Sequence, residues 1–473
     1  MKICFLARDT YDRFAVSLYQ NMASKHDCVD ACFITTDSTE TSIVRAEYPD
    51  AEVYETAIFI KQHYKECTIE KLSEYEKKYE CAPIWKYIYS DRFLIYRKYD
   101  DAVAITAAYF MFFEELFKSG KIDYYYSEAI ATLPCYIAYL VGKKLGVKYV
   151  SQMPARGNID TTFHYFIYDE YMHNAGFDAD YLKADYSAEE IKRADEFLED
   201  YEKNDRTPPS ASLVNAEPRI GIYDFLRIFK RIIKSFDPRF NDPCSYMYYK
   251  GYKEYTATWT RWYRYKKIKK QYRQPDLSKK YVYYPLHYQP EATTCVCAEK
   301  YEKQLFFIDS LAKSIPADTV LYVKEHYALL GHRDLSFYSE LKKYPNVVLI
   351  SPFVSSRKLI ENSECVVTLA GTVGYEAMLL RKPVILAGET VYDNAPGVIK
   401  INDIYGKYID CLEMWKKPQR EEVIKYLCEC FRSYSKGNAY AQNFLEGLDD
   451  TIDDLADSLY KYLAGLADEQ VAK

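Results

Sequence analysis

The chain has 473 residues, a net charge of -6, 49% hydrophobic and 28% charged residues. That length is more than one hydrophobic core supports, so two or more domains are expected, and the composition excludes a disordered chain. The acidic balance argues against a general nucleic-acid binder, and no apolar run reaches the roughly 20 residues of a bilayer-spanning helix. The longest apolar run, Ala102 to Phe113, stops at Glu114 and Glu115. Met1 to Arg8 is too short in its apolar part for a signal peptide and reads as a first strand. The 13 cysteines are odd in number and include no C-x-x-C pair, so they read as buried thiols of a reducing cytoplasm. The 51 tyrosines are spread along the whole chain and mark no one place.

Strand-like and helix-like segments alternate over the first ~165 residues. Lys2 to Leu6 is a strand, Phe14 to Met22 a helix and Val29 to Thr35 a second strand. Ile122 to Tyr126 and Val147 to Ser151 are later strands, joined by a helix from Pro134 to Leu145 that Gly146 ends. Such a crossover makes a parallel sheet. The middle is different. Ser187 to Glu202 reads as a charged helix, Thr207 to Ser212 as a loop, and Ile222 to Phe236 as an amphipathic helix. Thr258 to Arg273 interleaves Trp259, Trp262, Tyr263 and Tyr265 with Arg and Lys. From Lys280 the alternation resumes, with strands at Tyr281 to Tyr284, Thr319 to Lys324, Val347 to Ile350, Cys365 to Leu369 and Pro383 to Ala387. Helices at Tyr301 to Ser314, Ser336 to Lys343, Ser355 to Asn362 and Gly374 to Arg381 separate them. That is a doubly wound pattern. The tail from Gln419 to about Leu463 is helical. The expected architecture is α/β, with two Rossmann-type domains facing a cleft. Its parts are an N-terminal domain (1–170), a helical insertion or bridge (171–275), a C-terminal domain (276–410), and terminal helices (411–473) that pack back on the first domain.

Open parallel sheets bind ligands beyond the carboxyl ends of their strands. In the C-terminal domain those ends carry His287, then Lys324-Glu325-His326, then Gly371-Thr372-Val373-Gly374, then Gly388-Glu389. A glycine turn that opens a helix offers backbone N–H groups at the positive end of the helix dipole, which suits a phosphate, and the Thr372 hydroxyl adds a donor. The same spacing also fits a plain strand-to-helix turn. Glu376, placed in the first helical turn, either caps the helix or meets a ribose. An imidazolium at His326 would neutralise a phosphate leaving group, and His287 is placed similarly. No H-E-x-x-H, D-x-D or acidic cluster at these strand ends points to a metal.

The runs Tyr281-Val-Tyr-Tyr-Pro-Leu-His-Tyr-Gln-Pro-Glu-Ala-Thr-Thr294, Leu321-Tyr-Val-Lys-Glu-His326 and Leu369-Ala-Gly-Thr-Val-Gly-Tyr-Glu-Ala377, with Lys382-Pro-Val384, resemble bacterial capsule polysaccharide biosynthesis proteins. These are glycosyltransferases of the two-Rossmann GT-B type, related to the β-Kdo transferases. The resemblance is specific over about 280–400 and weaker at Asp91-Arg92 and Ser127-Glu128. It implies a nucleotide-activated sugar in the C-terminal domain, bound by His287, Glu325, His326, Gly371, Thr372, Gly374 and Glu376. It implies an acceptor in the N-terminal domain, where Asp9 and Glu128 have the chemistry of a general base. Arg8, Arg156 and Lys324 are candidates for the acceptor or a sugar carboxylate. Surface or capping roles are the commoner ones for carboxylates such as Asp9 and Glu128. No cofactor or metal is implied.

The favoured donor is a CMP-activated acidic sugar such as Kdo, although Tyr327 stands where CMP-sugar enzymes carry a proline after the histidine. The alternatives are a UDP-sugar transferase, a sugar-nucleotide epimerase of double-Rossmann build, and a non-catalytic polysaccharide-assembly subunit. The basic aromatic stretch has three readings, in this order: a solvated helix face, a membrane-surface contact through 222–273 and RNA binding. The expected setting is the cytoplasm, at the inner face of the plasma membrane.

Overall fold

The structure, a computed structural model, describes residues 1–95, 97–155, 162–204, 217–234, 242–246, 252–447 and 451–471. The chain forms two compact units. Unit 1 comprises Met1–Gly176, Ile233–Lys250 and Ser433–Lys473; unit 2 comprises Phe177–Ile232 and Gly251–Arg432. Each has its own sheet, so there is no single continuous one.

In unit 1, β1 (Lys2–Leu6), β2 (Asp30–Thr35), β3 (Val53–Glu55), β4 (Tyr124–Tyr126) and β5 (Lys148–Pro154) are parallel, and β6 (Phe163–Ile167) runs antiparallel to β5. Ile3, Cys4, Phe5 and Leu6 are all buried, as a strand covered on both faces requires. The order β3-β2-β1-β4-β5 places the reversal of winding between β1 and β4. Residues 36–121, where the sequence shows little regular patterning, hold β3 and helices at Ser38–Glu47, Thr56–His63, Ile69–Tyr79, Trp85–Ser90 and Tyr99–Ser119. The apolar run Ala102 to Phe113 is the buried body of the last of these. The helix Leu133–Leu145 ends at Gly146, whose φ of 85° is the left-handed conformation expected of that glycine.

In unit 2, β7 (Tyr281–Pro285), β8 (Val320–Lys324), β9 (Val347–Ile350), β10 (Cys365–Thr368), β11 (Val384–Leu386) and β12 (Val398–Lys400) are all parallel. Their order, β9-β8-β7-β10-β11-β12, is that of a six-stranded dinucleotide-binding sheet. Two such units make this an α/β protein of two-Rossmann build.

A last short strand, β13 (Ser435–Lys436), pairs with β6. The helix Ile452–Val471 belongs to the same unit, and its Leu455, Ala456, Leu459 and Leu463 share a core with Phe14, Val16 and Leu18 of the helix Tyr11–Lys25. The stretch 171–275 divides between the units. The helix Ala188–Lys203, opened by a capping box of Ser187 and Glu190, docks on Arg420–Arg432 through Arg420 to Asp195 and Glu202. The expected loop Thr207 to Ser212 lies outside the described residues. Among the described residues no helix is long and apolar enough to cross a membrane, and none of the 13 cysteines is in a disulfide.

Candidate functional site

The reversal of winding in unit 2 falls between β7 and β10, and a ligand crevice is expected beyond their carboxyl ends. His287 follows β7, and Leu369-Ala-Gly371 follows β10. The two ends are tied together. Thr368 Oγ1 accepts the Gly371 N–H (3.3 Å), so its own hydrogen points to His287 Nε2 (3.0 Å), which also accepts the Ala370 N–H (3.4 Å). His287 is thereby a neutral ring beneath the glycine turn.

Both glycines of that turn are required by close approach. A Cβ on Gly371 would lie 2.9 Å from His287 Nε2, and one on Gly374 would lie 2.5 Å from the Tyr392 hydroxyl. The Tyr392 hydroxyl donates to the Gly371 carbonyl and holds the turn from the other side. Gly371 is the N-cap of the helix Thr372–Leu379 and brings no capping side chain, so the first backbone N–H groups keep their capacity for an anion. Thr372 is exposed at that end. Glu376 is a correction: the helix starts at Thr372, so Glu376 sits in the second turn, and the first turn holds no acid.

Beyond β8 the three expected residues part ways. Glu325 is 1% exposed. One oxygen accepts from the His326 N–H (2.7 Å) and Arg333 Nε (3.2 Å), the other from the Tyr338 hydroxyl (2.5 Å). It therefore cannot meet a nucleotide, contrary to expectation; it anchors Arg333. Arg333 in turn reaches Gln289 Oε1 (3.2 Å) and the His287 carbonyl (2.5 Å), joining the ends of β7 and β8. His326 Nδ1 accepts the Ala328 N–H (3.3 Å), so Nε2 carries the proton and is the ring's donor. Lys324 Nζ lies 2.7 Å from Ser356 Oγ.

Burial, then the positive charges of Arg333 and Lys324, push the His326 imidazole down to about 4. His326 is thus a neutral N–H donor at neutral pH where an imidazolium was expected. Burial likewise takes His287 to about 3 and His164, in unit 1, to about 4. All three rings are neutral when folded and take up protons on unfolding below the ordinary value of 6.5, so stability falls as pH drops from about 6.5 to about 4. Glu40, raised to about 7 by burial, works in the opposite sense with one proton. The melting temperature is expected to hold above pH 7 and to fall steadily below 6.5. The fall should be shallower in H326A; parallel curves for H326A and wild type would remove His326 from this balance.

Unit 1 repeats the arrangement at its own reversal point. Arg8, beyond β1, and Glu128, beyond β4, form an ion pair across it. Arg8 is 6% exposed, lies over the Tyr246 ring (5.2 Å to its centroid), and keeps one terminal nitrogen, Nη1, without a partner. The Glu128 side chain is 20% exposed. Asp9 is exposed, with φ of 50°, and its N–H donates to buried Glu40 (3.0 Å), which also accepts from the Thr36 N–H and hydroxyl (2.6 and 2.8 Å). Arg156 lies outside the described residues.

The structure also brings in residues that carried no role in the sequence, among them Asp91, named there only for its weak resemblance. Asp91 is fully buried and accepts from the backbone N–H groups of Phe93 (2.7 Å), Leu94 (3.0 Å) and Leu133 (2.7 Å), and from the Tyr246 hydroxyl. Arg333, Thr368, Tyr392 and Glu40 complete the set. The pairing of Asp91 with its two following amides is a local turn signal; the others give none.

Two Rossmann-type units, each with charged or imidazole side chains gathered at its reversal point, define the class. Residues 238–406 match the family model described as capsule polysaccharide biosynthesis protein, which bears out the resemblance carried by the strand-end motifs. No curated protein matches the sequence. Among solved structures the chain is similar to Thermosulfurimonas dismutans KpsC, a β-Kdo 2,7-transferase (12% identity, 68% of this chain and 81% of that one, TM-score 0.37). It is also similar to the Methanocaldococcus jannaschii UDP-GlcNAc 2-epimerase in complex with UDP-GlcNAc and UDP (14%, 91% and 99%, 0.30) and a Rickettsia africae glycosyltransferase (10%, 94% and 97%, 0.27).

Proposed function

We propose that this protein is a glycosyltransferase of capsule or related surface-polysaccharide synthesis, which takes its nucleotide-activated sugar at the rim of unit 2. The observation that carries this reading is the β7–β10 reversal point. There an uncapped helix start follows β10, and a histidine N–H donor follows β8, the neighbour of β7, on the same rim, within the segment that matches the capsule family. The uncapped amides and Thr372 hold the phosphate, and His326 Nε2–H donates to the oxygen that gains charge as the sugar departs. His287 is a positioning residue that shapes the turn, and Glu376 in the second helical turn is near the ribose.

The favoured donor is a CMP-activated acidic sugar. Arg333 is committed to Glu325, Gln289 and the His287 carbonyl, so the cationic capacity left on the rim suits one phosphate better than two. Lys324 answers the sugar carboxylate. The acceptor, a saccharide or lipid-linked chain, is met by Arg8, with Glu128 or Asp9 as the base. No metal takes part, so transfer should survive EDTA. A thermal-shift panel of CMP, CDP, UDP and GDP tests the donor, since a ligand of the native state raises the melting temperature. Stabilisation by CMP is expected. Stabilisation by UDP alone would overturn the CMP assignment, and interconversion of a UDP-sugar without an acceptor would replace transferase by epimerase.

A further inference from the structure

Residues 219–273 hold 15 Lys and Arg against 4 Asp and Glu, a net +11 in a chain whose total is -6. The remainder of the sequence is acidic, so positive charge is concentrated in this stretch of the sequence. Its outward-facing part is not where the aromatic pattern suggested. In the helix Tyr252–Ile268, Tyr265 and Ile268 are buried in the core of unit 2. Arg261 donates to the Leu330 carbonyl (3.0 Å), and Arg264 to the His332 carbonyl (2.8 Å) and Asp334. Much of that helix is therefore committed to its own unit.

The helix Ile222–Lys234 is different. Ile228, 5% exposed, seats it on the protein, while Phe225, Leu226 and Phe229 are 46, 57 and 63% exposed. At 100° per residue these three share about 100° of arc, and Lys230 and Arg227 follow on the next part of the circumference. A soluble surface helix has the reverse arrangement, with its large apolar side chains turned inward. Phe225 meets Trp259 edge-on (5.6 Å between ring centroids), which links this face to the neighbouring helix. There Tyr263 is 50% exposed beneath Lys267 (5.5 Å), and Lys266 lies 6.0 Å over Trp262.

We propose that the helix Ile222–Lys234 is an interfacial anchor that lies in the surface of an anionic lipid bilayer, with Phe225, Leu226 and Phe229 among the acyl chains and Lys230 and Arg227 at the headgroups. Charge complementarity selects this occupant. Apolar side chains bordered by cations, with aromatic rings paired to lysines alongside, match the apolar-to-anionic gradient of such a surface. A second copy of this acidic chain would bring no comparable layer of negative charge above an apolar interior.

Flotation of the full chain with vesicles tests the anchor. Wild type should float with phosphatidylglycerol–phosphatidylcholine vesicles at least about tenfold more than with phosphatidylcholine alone. The double variant L226E/F229E should lose flotation, and K230Q should weaken it roughly fivefold on the anionic vesicles only. Unchanged melting temperatures would show that both variants fold. Equal flotation on the two vesicle types, or full flotation of L226E/F229E, would overturn the proposal. So would a dimer in sedimentation that L226E/F229E dissolves, or RNA binding in place of vesicle binding. Flotation needs no sugar transfer, so failure here leaves the transferase reading standing, and the reverse also holds.

Discussion

The His326→Ala variant is expected to lose about 100-fold or more in turnover while its melting temperature at pH 7 stays close to wild type. The large kinetic effect follows from position. His326 Nδ1 is occupied by the Ala328 N–H, which orients the ring and commits Nε2–H as a donor on the rim. A donor already aimed at developing charge needs no reorganisation during reaction, and removal of one such group typically costs two to three powers of ten. The small stability effect follows because the ring's contacts are modest, a 3.3 Å bond to a 3-10 turn and an edge-on contact with the Tyr288 ring (5.7 Å between centroids). Binding should separate the roles further. If His326 acts on the departing group, H326A raises KM little and lowers kcat strongly; a loss confined to KM would make it a binding residue only. The neutral ring gains affinity for a proton when an anion arrives beside it, so the wild-type rate should carry a pH dependence that H326A lacks.

The Asp91→Ala variant is expected to lose about 4 kcal/mol of stability. Asp91 is 0% exposed and answers three backbone N–H groups and one hydroxyl. Truncation strips all four donors at once in a site closed to water. Tyr246→Phe removes one donor together with its hydroxyl group and should cost only about 1 kcal/mol. Urea unfolding of the two variants checks this. Equal losses would mean that Asp91 matters only through Tyr246.

How much of this was legible depended on the range over which each signal acts. The strands of unit 2 are short apolar runs bounded by turn residues, and β9 falls at Val347–Ile350 as the pattern gives it. Gly146 ends its helix because only its own φ is involved. Within 36–121 the helix Tyr99–Ser119 resisted because it is buried on every face: with every residue from Ala102 to Phe113 inside, no periodicity remains to be seen. The rim was legible as a row of strand ends, since topology alone brings those together. Its internal wiring was not. Arg333 stands eight residues beyond Glu325 in a loop, and only folding shows that it takes that carboxylate out of play. Tyr246 lies 155 residues from Asp91, a distance at which sequence gives no hint of contact. The neutral state of His326 was hidden for a related reason, because its burial, the main cause, and the approach of Arg333 are visible only in three dimensions.

The core of unit 1 is shared between residues near the beginning of the chain and Leu455, Leu459 and Leu463. On a ribosome that adds roughly 5–20 residues per second, β1 and the helix Tyr11–Lys25 wait some tens of seconds for the segment that covers them. Unit 2 begins later, but its last residue, Arg432, is made before the segment that completes unit 1. The nascent chain thus carries an unfinished first unit with apolar surface open while the second is already complete, which makes the late helix Ile452–Val471 a timing element as much as a packing one, and marks the interval before its synthesis as the period when a chaperone has something to hold.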